Sequence, residues 1–121
     1  MEILLVDDIE FYIRLYDDII QKHFPKNQIT YASNGKIALE ILKRKHIDIV
    51  ITDIYMGEMD GIELIEEIRK NKDFENIVVI GTSAFDDKSQ DYYLKKSFND
   101  FIFKDSFLMI IFILEKYLNK F

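Results

Sequence analysis

The fold of this chain is constrained most by five short, largely apolar runs. These runs alternate with segments of helical periodicity. The runs occupy residues 3–6, 28–32, 47–52, 77–80 and 101–103. Runs of this length are typical of strands that are covered on both sides. Apolar residues, Tyr12 and Tyr16 among them, recur at helical spacing over 9–24, and Pro25 is expected to end this helix. Ser33 or Asn34 is expected to cap a second helix, and further helices are predicted over 62–71, 86–96 and 106–120. This alternation predicts an α/β fold, a five-stranded parallel sheet doubly wound by helices in a (βα)5 arrangement.

Size and composition narrow the class of protein. The chain has 121 residues, of which 49% are hydrophobic, and we expect a single domain over residues 1–121. The net charge of -6 disfavours direct binding to nucleic acid, which normally needs a basic patch. The longest wholly apolar run, 107–114, is shorter than a membrane helix, and the first residues do not resemble a secretory signal. We therefore expect a cytoplasmic protein that does not bind membranes.

Polar side chains follow four of the five predicted strands. Asp7 and Asp8 follow the first strand, Asp53 the third, Ser83 the fourth and Lys104 the fifth. In a doubly wound sheet, ligands bind beyond the carboxyl ends of the strands, so we expect these groups to converge there. Clustered carboxylates without His or Cys favour a hard cation, and Mg²⁺ is the candidate cofactor. A carboxylate beside Mg²⁺ and an ammonium can act as a nucleophile toward phosphorus.

The same residues carry a resemblance to a known family. Residues 6–8, 52–53 with 56–61, 82–84 and 101–104 together resemble the receiver domain of response regulators in two-component signalling, including the chemotaxis receiver. The resemblance covers essentially the whole chain, with the motifs in order and at the family's spacing. It implies the flavodoxin-like strand order 2-1-3-4-5.

The resemblance also implies roles for individual residues. Asp53 matches the aspartate that accepts a phosphoryl group from the phosphohistidine of a histidine kinase or a histidine phosphotransfer protein. Asp8 matches a direct Mg²⁺ ligand, Asp7 a carboxylate that helps through water, and Tyr55 a residue whose backbone carbonyl binds the metal. Lys104 matches the lysine that pairs with the phosphoryl oxygens.

Two further residues match the part of the family that changes conformation. Ser83 matches the switch hydroxyl that turns toward the phosphoryl group, and Phe101 the aromatic side chain that follows it inward. The chain departs from the family where Asp105 and Gly57 stand in place of the usual prolines. We expect a trans bond between Lys104 and Asp105, because a cis bond without proline costs about 2.5–4 kcal/mol.

The expected function is that of a phosphorylation switch. We expect self-phosphotransfer and slow self-dephosphorylation, with Tyr55 and Phe85 crowding the path of hydrolytic water, but no enzyme activity in the usual sense. Phe11 and Ile13 lie off the apolar stripe of the first helix and would contact the kinase. The apolar run 107–114 exceeds one buried face, which indicates a downstream protein partner or a dimer through the last helices.

Three other functions compete with this interpretation. A Mg²⁺-dependent phosphatase with an aspartate nucleophile generally has an acid/base aspartate two positions later, where this chain has Tyr55, and needs a cap region. A flavodoxin-like electron carrier needs a phosphate loop where Asp7 and Asp8 stand. A pseudo-receiver that acts without phosphate is the third. The chain contains no predicted output domain, so it is either a stand-alone regulator or the receiver of a longer protein.

Overall fold

The computed structural model describes residues 1–84, 92 and 96–118. They form one parallel sheet in the predicted order β2-β1-β3-β4-β5. The strands are β1 (Glu2–Val6), β2 (Gln28–Ala32), β3 (Ile49–Asp53), β4 (Val78–Ser83) and β5 (Asp100–Phe103). The helices that the structure describes are α1 (Glu10–His23), α2 (Gly35–Arg44), α3 (Gly61–Lys70) and α4 (Met109–Leu118). Two 3-10 turns, Lys72–Phe74 and Lys104–Ser106, complete these elements.

The sheet is apolar on both faces, and each face has its own core. Alternate residues of a strand point to opposite faces, so Leu4 and Val6 pack with residues of α2 and α3 while Ile3 and Leu5 pack with residues of α1 and α4. The sheet is therefore buried between two helix layers, as the apolar runs predict. The central strands β1, β3 and β4 are the most deeply covered, and their carboxyl ends lead into the polar residues Asp7, Asp53 and Ser83.

Local signals fix where the helices begin and end. The side chain of Asn34 accepts a hydrogen bond from the Ile37 N–H (2.8 Å) and caps α2. Asp60 and Glu63 form a reciprocal capping box at the start of α3. Helix α1 ends at His23, just before Pro25, as the sequence predicts. Within the described ranges no helix has the length and apolar character needed to cross a membrane.

Several boundaries differ from those predicted. Strand β4 continues to Ser83, since Thr82 and Ser83 pair with residues of β5. The last helix begins at Met109 rather than near residue 106, because the chain first makes the 3-10 turn that contains Lys104. No cis peptide bond occurs among the described residues, so the Lys104–Asp105 bond is trans, as expected. The helix predicted over 86–96 lies almost wholly outside the described residues.

Two glycines bring the loop after β3 close to its neighbours. The Gly61 N–H donates to the Ile54 carbonyl (2.9 Å), and a Cβ at Gly61 would lie 2.4 Å from the carbonyl oxygen of Asp53. The Gly35 N–H donates to the Met59 carbonyl (2.9 Å), and a Cβ there would lie 2.2 Å from that oxygen. The helix starts of α2 and α3 thus hold the loop that follows Asp53.

We expect Gly61→Ala to lower the free energy of unfolding by about 1–3 kcal/mol, because the new methyl group must displace backbone rather than a flexible side chain. Gly57→Ala in the same loop is the matched control: a Cβ at Gly57 would have no neighbour within 4 Å, and the φ of this residue is not positive. Urea denaturation measures both. Equal stability of the two variants would contradict the role given to the close approach at Gly61.

Candidate functional site

The carboxyl ends of the strands bring the predicted acidic residues together. Asp53 is the last residue of β3 and pairs in register with Thr82 of β4. Asp7 directly follows β1, the neighbour of β3, and its N–H donates to the Ala32 carbonyl of β2 (3.1 Å). Both carboxylates are almost completely buried, each with 4% of the residue exposed. The parallel sheet therefore places two carboxylates side by side at one edge.

Lys104 compensates the charge of these carboxylates. Its ammonium lies 2.8 Å from Asp7 Oδ2 and 3.3 Å from Asp53 Oδ2, and only 5% of the residue is exposed. A buried charge is tolerated only when it is paired. The 3-10 turn after β5 directs this lysine inward across the end of β4. The predicted convergence of Asp7, Asp53 and Lys104 is thus observed.

The acidic cluster fits a divalent cation. One carboxylate oxygen each of Asp7, Asp8 and Asp53 lies within 4.8 Å of the others. Mg²⁺ binds oxygens at about 2.0–2.1 Å, so ligands on opposite sides of the ion are about 4 Å apart. Asp7 Oδ1 accepts from the Ile9 N–H (2.9 Å) and Asp7 Oδ2 faces Lys104. Asp53 is held in the same way, because its Oδ1 accepts from the Tyr55 N–H (3.3 Å) and its Oδ2 faces Lys104 (3.3 Å), and Asp8 is the exposed one of the three carboxylates.

The electrostatics of the cluster favour protonation of its buried carboxylates. Burial, and then the negative charge of Asp7, raise the pKa of Asp53 to about 6, against the opposing effect of Lys104. Burial likewise raises the pKa of Asp7 above its ordinary value. The site therefore holds more negative charge than its single lysine offsets, and added positive charge would stabilise it.

Two tyrosines of α1 border the cluster, and sequence reasoning assigned both only to the apolar stripe of that helix. Tyr16 is buried beneath it. Burial and the charges of Asp7 and Asp53 raise the pKa of its phenol, while the nearby Thr82 hydroxyl has the opposite, smaller effect. The ring of Tyr12 lies against Lys104, with 3.8 Å from Nζ to the ring centroid. The sequence signal that could have found them is a pair of tyrosines four residues apart on the face of the helix that packs against the core.

The other predicted site residues lie around this cluster. Ser83 is fully buried at the end of β4, in register with Phe103. Phe101 is buried and packs edge-to-face on Phe103, with 5.0 Å between ring centroids. Tyr55 is exposed, and its N–H donates to Asp53 Oδ1 (3.3 Å). Phe85 lies outside the described residues.

An apolar rim borders the acidic cluster. Phe11, Ile9 and Ile37 are exposed large apolar residues, and Phe11 is 65% exposed. A cleft of about 610 Å³ between α1 and the end of β2 is lined by Asp7, Asp8 and Ile37 among others. Ile13, expected to be off the core stripe, instead packs partly against the core shared by α1 and α4. Of the two residues expected to contact the kinase, Phe11 is the more exposed, and Ile13 lines the cleft beside Asp7 and Asp8.

This geometry agrees with the family comparison. A family model described as the response regulator receiver domain matches residues 3–109. The chain belongs to this family. The cluster at the carboxyl ends of β1, β3 and β5 lies entirely within the matched receiver domain.

Curated relatives are longer than this chain. A probable cyclic di-GMP phosphodiesterase of Vibrio cholerae serotype O1 is 37% identical over 105 residues, which cover 84% of this chain and 23% of that protein. Stress response regulator protein 1 of Candida tropicalis is 31% identical over 81 residues, which cover 67% of this chain and 31% of that protein. The matched part of the chain thus spans less than a third of each of these relatives.

Solved structures share the fold over nearly its full length. The response regulator TrrA of Thermotoga maritima, in complex with Mg²⁺-BeF, has a TM-score of 0.79 at 28% identity and covers 98% of this chain and 96% of its own. The co-crystal structure of the Saccharomyces cerevisiae histidine phosphotransfer signaling protein Ypd1 with the Ssk1 receiver domain gives a TM-score of 0.75 at 20% identity. It covers 86% of this chain and 78% of that chain, and at this identity the likeness shows the fold alone.

The raised pKa of Asp53 predicts how stability depends on pH. The folded protein binds this proton more tightly than the unfolded chain does, so the stabilisation is present below about pH 4 and is lost as the pH rises through about 6. We expect Asp53→Asn to raise the free energy of unfolding by about 1–3 kcal/mol at pH 8 in EDTA, and by less at pH 4.

Chemical denaturation at the two pH values measures this difference. Asp18→Asn, which removes an exposed carboxylate of α1, is the control and should change stability little at either pH. Added Mg²⁺ should narrow the difference between wild type and Asp53→Asn at pH 8. An Asp53→Asn protein that is less stable than wild type at pH 8 in EDTA would contradict the electrostatic interpretation.

Proposed function

We propose that this receiver domain is a phosphoacceptor of two-component signalling and that Asp53 takes a phosphoryl group from a phosphohistidine. The observation that carries the proposal is a buried Asp53 that faces Lys104 at 3.3 Å within a cluster of three carboxylates. The donor is a histidine kinase or a histidine phosphotransfer protein. The proposal treats residues 1–121 as one domain, and a cytoplasmic location remains a prediction from the sequence.

In the proposed step, a carboxylate oxygen of Asp53 attacks phosphorus and the bond between phosphorus and the donor imidazole nitrogen breaks. The imidazole leaves with the electron pair and takes up a proton, and Asp53 becomes an acyl phosphate. Lys104 offsets negative charge on the phosphoryl oxygens. The other ligands proposed for Mg²⁺ are Asp8 and the Tyr55 backbone carbonyl, with Asp7 acting through water. Once bound, Mg²⁺ supplies positive charge next to the phosphoryl group.

The proposed switch begins at the end of β4. The Ser83 hydroxyl would donate a hydrogen bond to a phosphoryl oxygen, and Phe101 would move inward with it. Ser83 and Phe101 lie on neighbouring strands, and a Cβ at Gly81 would lie 3.1 Å from the Phe101 ring, so the ring already packs close to β4. A displacement of Ser83 would therefore directly shift β5 and the helix after it.

The proposed output surface lies on that helix. Leu108, Met109 and Phe112 are exposed apolar residues, beside a groove of about 420 Å³ that β5 and α4 line. A contiguous exposed apolar surface is typical of a protein interaction site. A downstream protein or a second copy of the chain would cover it after phosphorylation.

Incubation with acetyl phosphate and Mg²⁺, followed by intact-mass analysis, tests the acceptor. We expect one phosphoryl adduct on wild type, none on Asp53→Ala, and none when EDTA replaces Mg²⁺. Asp8→Asn should label at least about tenfold more slowly, because it removes a proposed metal ligand. Asp18→Asn, the exposed acid outside the cluster, should label at the wild-type rate.

Other results would contradict the proposal. An adduct on both wild type and Asp53→Ala, or on neither, would remove Asp53 from the acceptor role. Continuous turnover of a small phosphate ester would instead favour an aspartate-nucleophile phosphatase. Slow loss of the adduct in Mg²⁺ is the expected behaviour of a switch.

Phosphotransfer from a protein donor tests the docking surface. We expect Phe11→Ala to slow transfer from a phosphorylated histidine donor by about 5- to 30-fold, the effect of losing one buried apolar anchor of an interface. Labelling by acetyl phosphate should change by less than about twofold, because Phe11 lies outside the acidic cluster and the Tyr12 ring beside it is also held by the core that α1 and α4 share. Phe112→Ala is the matched control: its side chain is 62% exposed, compared with 65% for Phe11, on the proposed output surface. Equal slowing of both donors by Phe11→Ala would indicate damage to the site itself.

A further inference from the structure

Among the described residues, two carboxylates and one uncharged ring lie against the ammonium of Lys104. Asp7 and Asp53 lie at 2.8 and 3.3 Å, and the ring of Tyr12 is centred 3.8 Å from Nζ. A cation within about 6 Å of a ring centroid is attracted by the negative face of the ring, and more strongly when it is shielded from water. Lys104 is almost completely buried, so its attraction to the ring is of the stronger, water-shielded kind.

The backbone at Lys104 restrains the lysine side chain little, so other contacts must fix the position of its ammonium. Lys104 opens a 3-10 turn that has no side-chain cap, and its side chain is long and flexible. Its carboxylate partners are themselves expected to change, since phosphorylation alters the charge and size of Asp53. A ring on α1 is a partner that keeps its charge and position through that change.

Helix α1 holds the Tyr12 ring in place. The Tyr12 N–H donates to the Ile9 carbonyl (3.1 Å) in the first turn of the helix, and the side chain packs against the core that α1 and α4 share. On its outer side, the exposed Phe11 meets the Tyr12 ring edge-on, with 5.3 Å between centroids. The ring thus lies between the sheet edge and the surface of α1.

We propose that Tyr12 is a positioning residue for phosphoryl transfer: the face of its ring holds the Lys104 ammonium between Asp7 and Asp53, where the phosphoryl oxygens arrive. The inference rests on the proposed function. The ring is the part that acts, and the phenol hydroxyl is not required. A purely structural Tyr12 would fill space in the core and would be replaceable by any apolar side chain of similar size.

Three variants separate these roles. Tyr12→Leu keeps an apolar side chain and removes the ring, while Tyr12→Phe keeps the ring. We expect Tyr12→Leu to lower the maximal rate of labelling by saturating acetyl phosphate in Mg²⁺ by about 5- to 30-fold, and Tyr12→Phe to restore it to within about twofold of wild type. Tyr117→Leu is the control, because it removes a ring 5.6 Å from another lysine, Lys116, on α4. It should label as wild type does.

A double-mutant cycle ties the effect to the lysine. In a Lys104→Met background, Tyr12→Leu should cause no further loss of rate, because the ring then has no ammonium to hold. The same fold-loss in both backgrounds would show that Tyr12 acts through general packing and would overturn the proposal. Equal rates for wild type and Tyr12→Leu, or equal losses for Tyr12→Leu and Tyr12→Phe, would also overturn it.

A second measurement does not depend on phosphorylation. The ring current of Tyr12 should move the NMR signals of the Lys104 protons next to Nζ upfield in wild type and Tyr12→Phe, but not in Tyr12→Leu. If wild type shows this shift but acquires no phosphoryl adduct, the contact exists and the proposed function fails. If wild type is labelled at Asp53 without the shift, the function stands and the positioning role of Tyr12 fails.

Discussion

The ion pairs of Lys104 with Asp7 and Asp53 are the interaction on which this edge of the sheet depends. Strand β5 is separated from β3 by β4, and neighbouring strands lie about 4.8 Å apart. Lys104 must therefore reach across the end of β4 to meet carboxylates on the far side. A long side chain can span this distance, and the small hydroxyl residues Thr82 and Ser83 at the end of β4 leave it room. Without the lysine, two adjacent buried carboxylates would be unpaired.

Much of this site could be predicted because parallel topology is a strong constraint. Once the apolar runs indicate parallel strands, the residues that follow them must meet at one edge, whatever the loops do. Asp7, Asp53 and Lys104 were found in this way, and the strand order followed from the resemblance to receiver domains. The end of α1 before Pro25 was equally readable, and the cap of α2 was narrowed to Ser33 or Asn34, since both features depend on local chemistry.

The contacts that were missed depend on three-dimensional packing. Tyr12 and Tyr16 fit the apolar stripe of α1, and nothing in their spacing shows that one ring faces a lysine ninety-two positions later. In the sequence Gly61 looks like an ordinary loop glycine. In the structure, its lack of a side chain lets it approach the Asp53 carbonyl closely. The first turn of α4 was predicted too early, because the residues around 106 are compatible with a helix and only the burial of Lys104 requires a tighter turn.

The balance of charge in the cluster explains why phosphorylation would propagate. The cluster contains three carboxylates and one ammonium, so it has two more negative than positive formal charges. A bound divalent cation would make this balance formally neutral, and a phosphoryl group, which carries about -1.5 to -2 charge near neutral pH, would make it negative again. Further positive or hydrogen-bond-donating groups must then approach, and the Ser83 hydroxyl on β4 is already buried beside the site. Because Ser83 pairs with Phe103, the proposed movement of Ser83 would reach β5, and through β5 the helix that carries the exposed apolar surface.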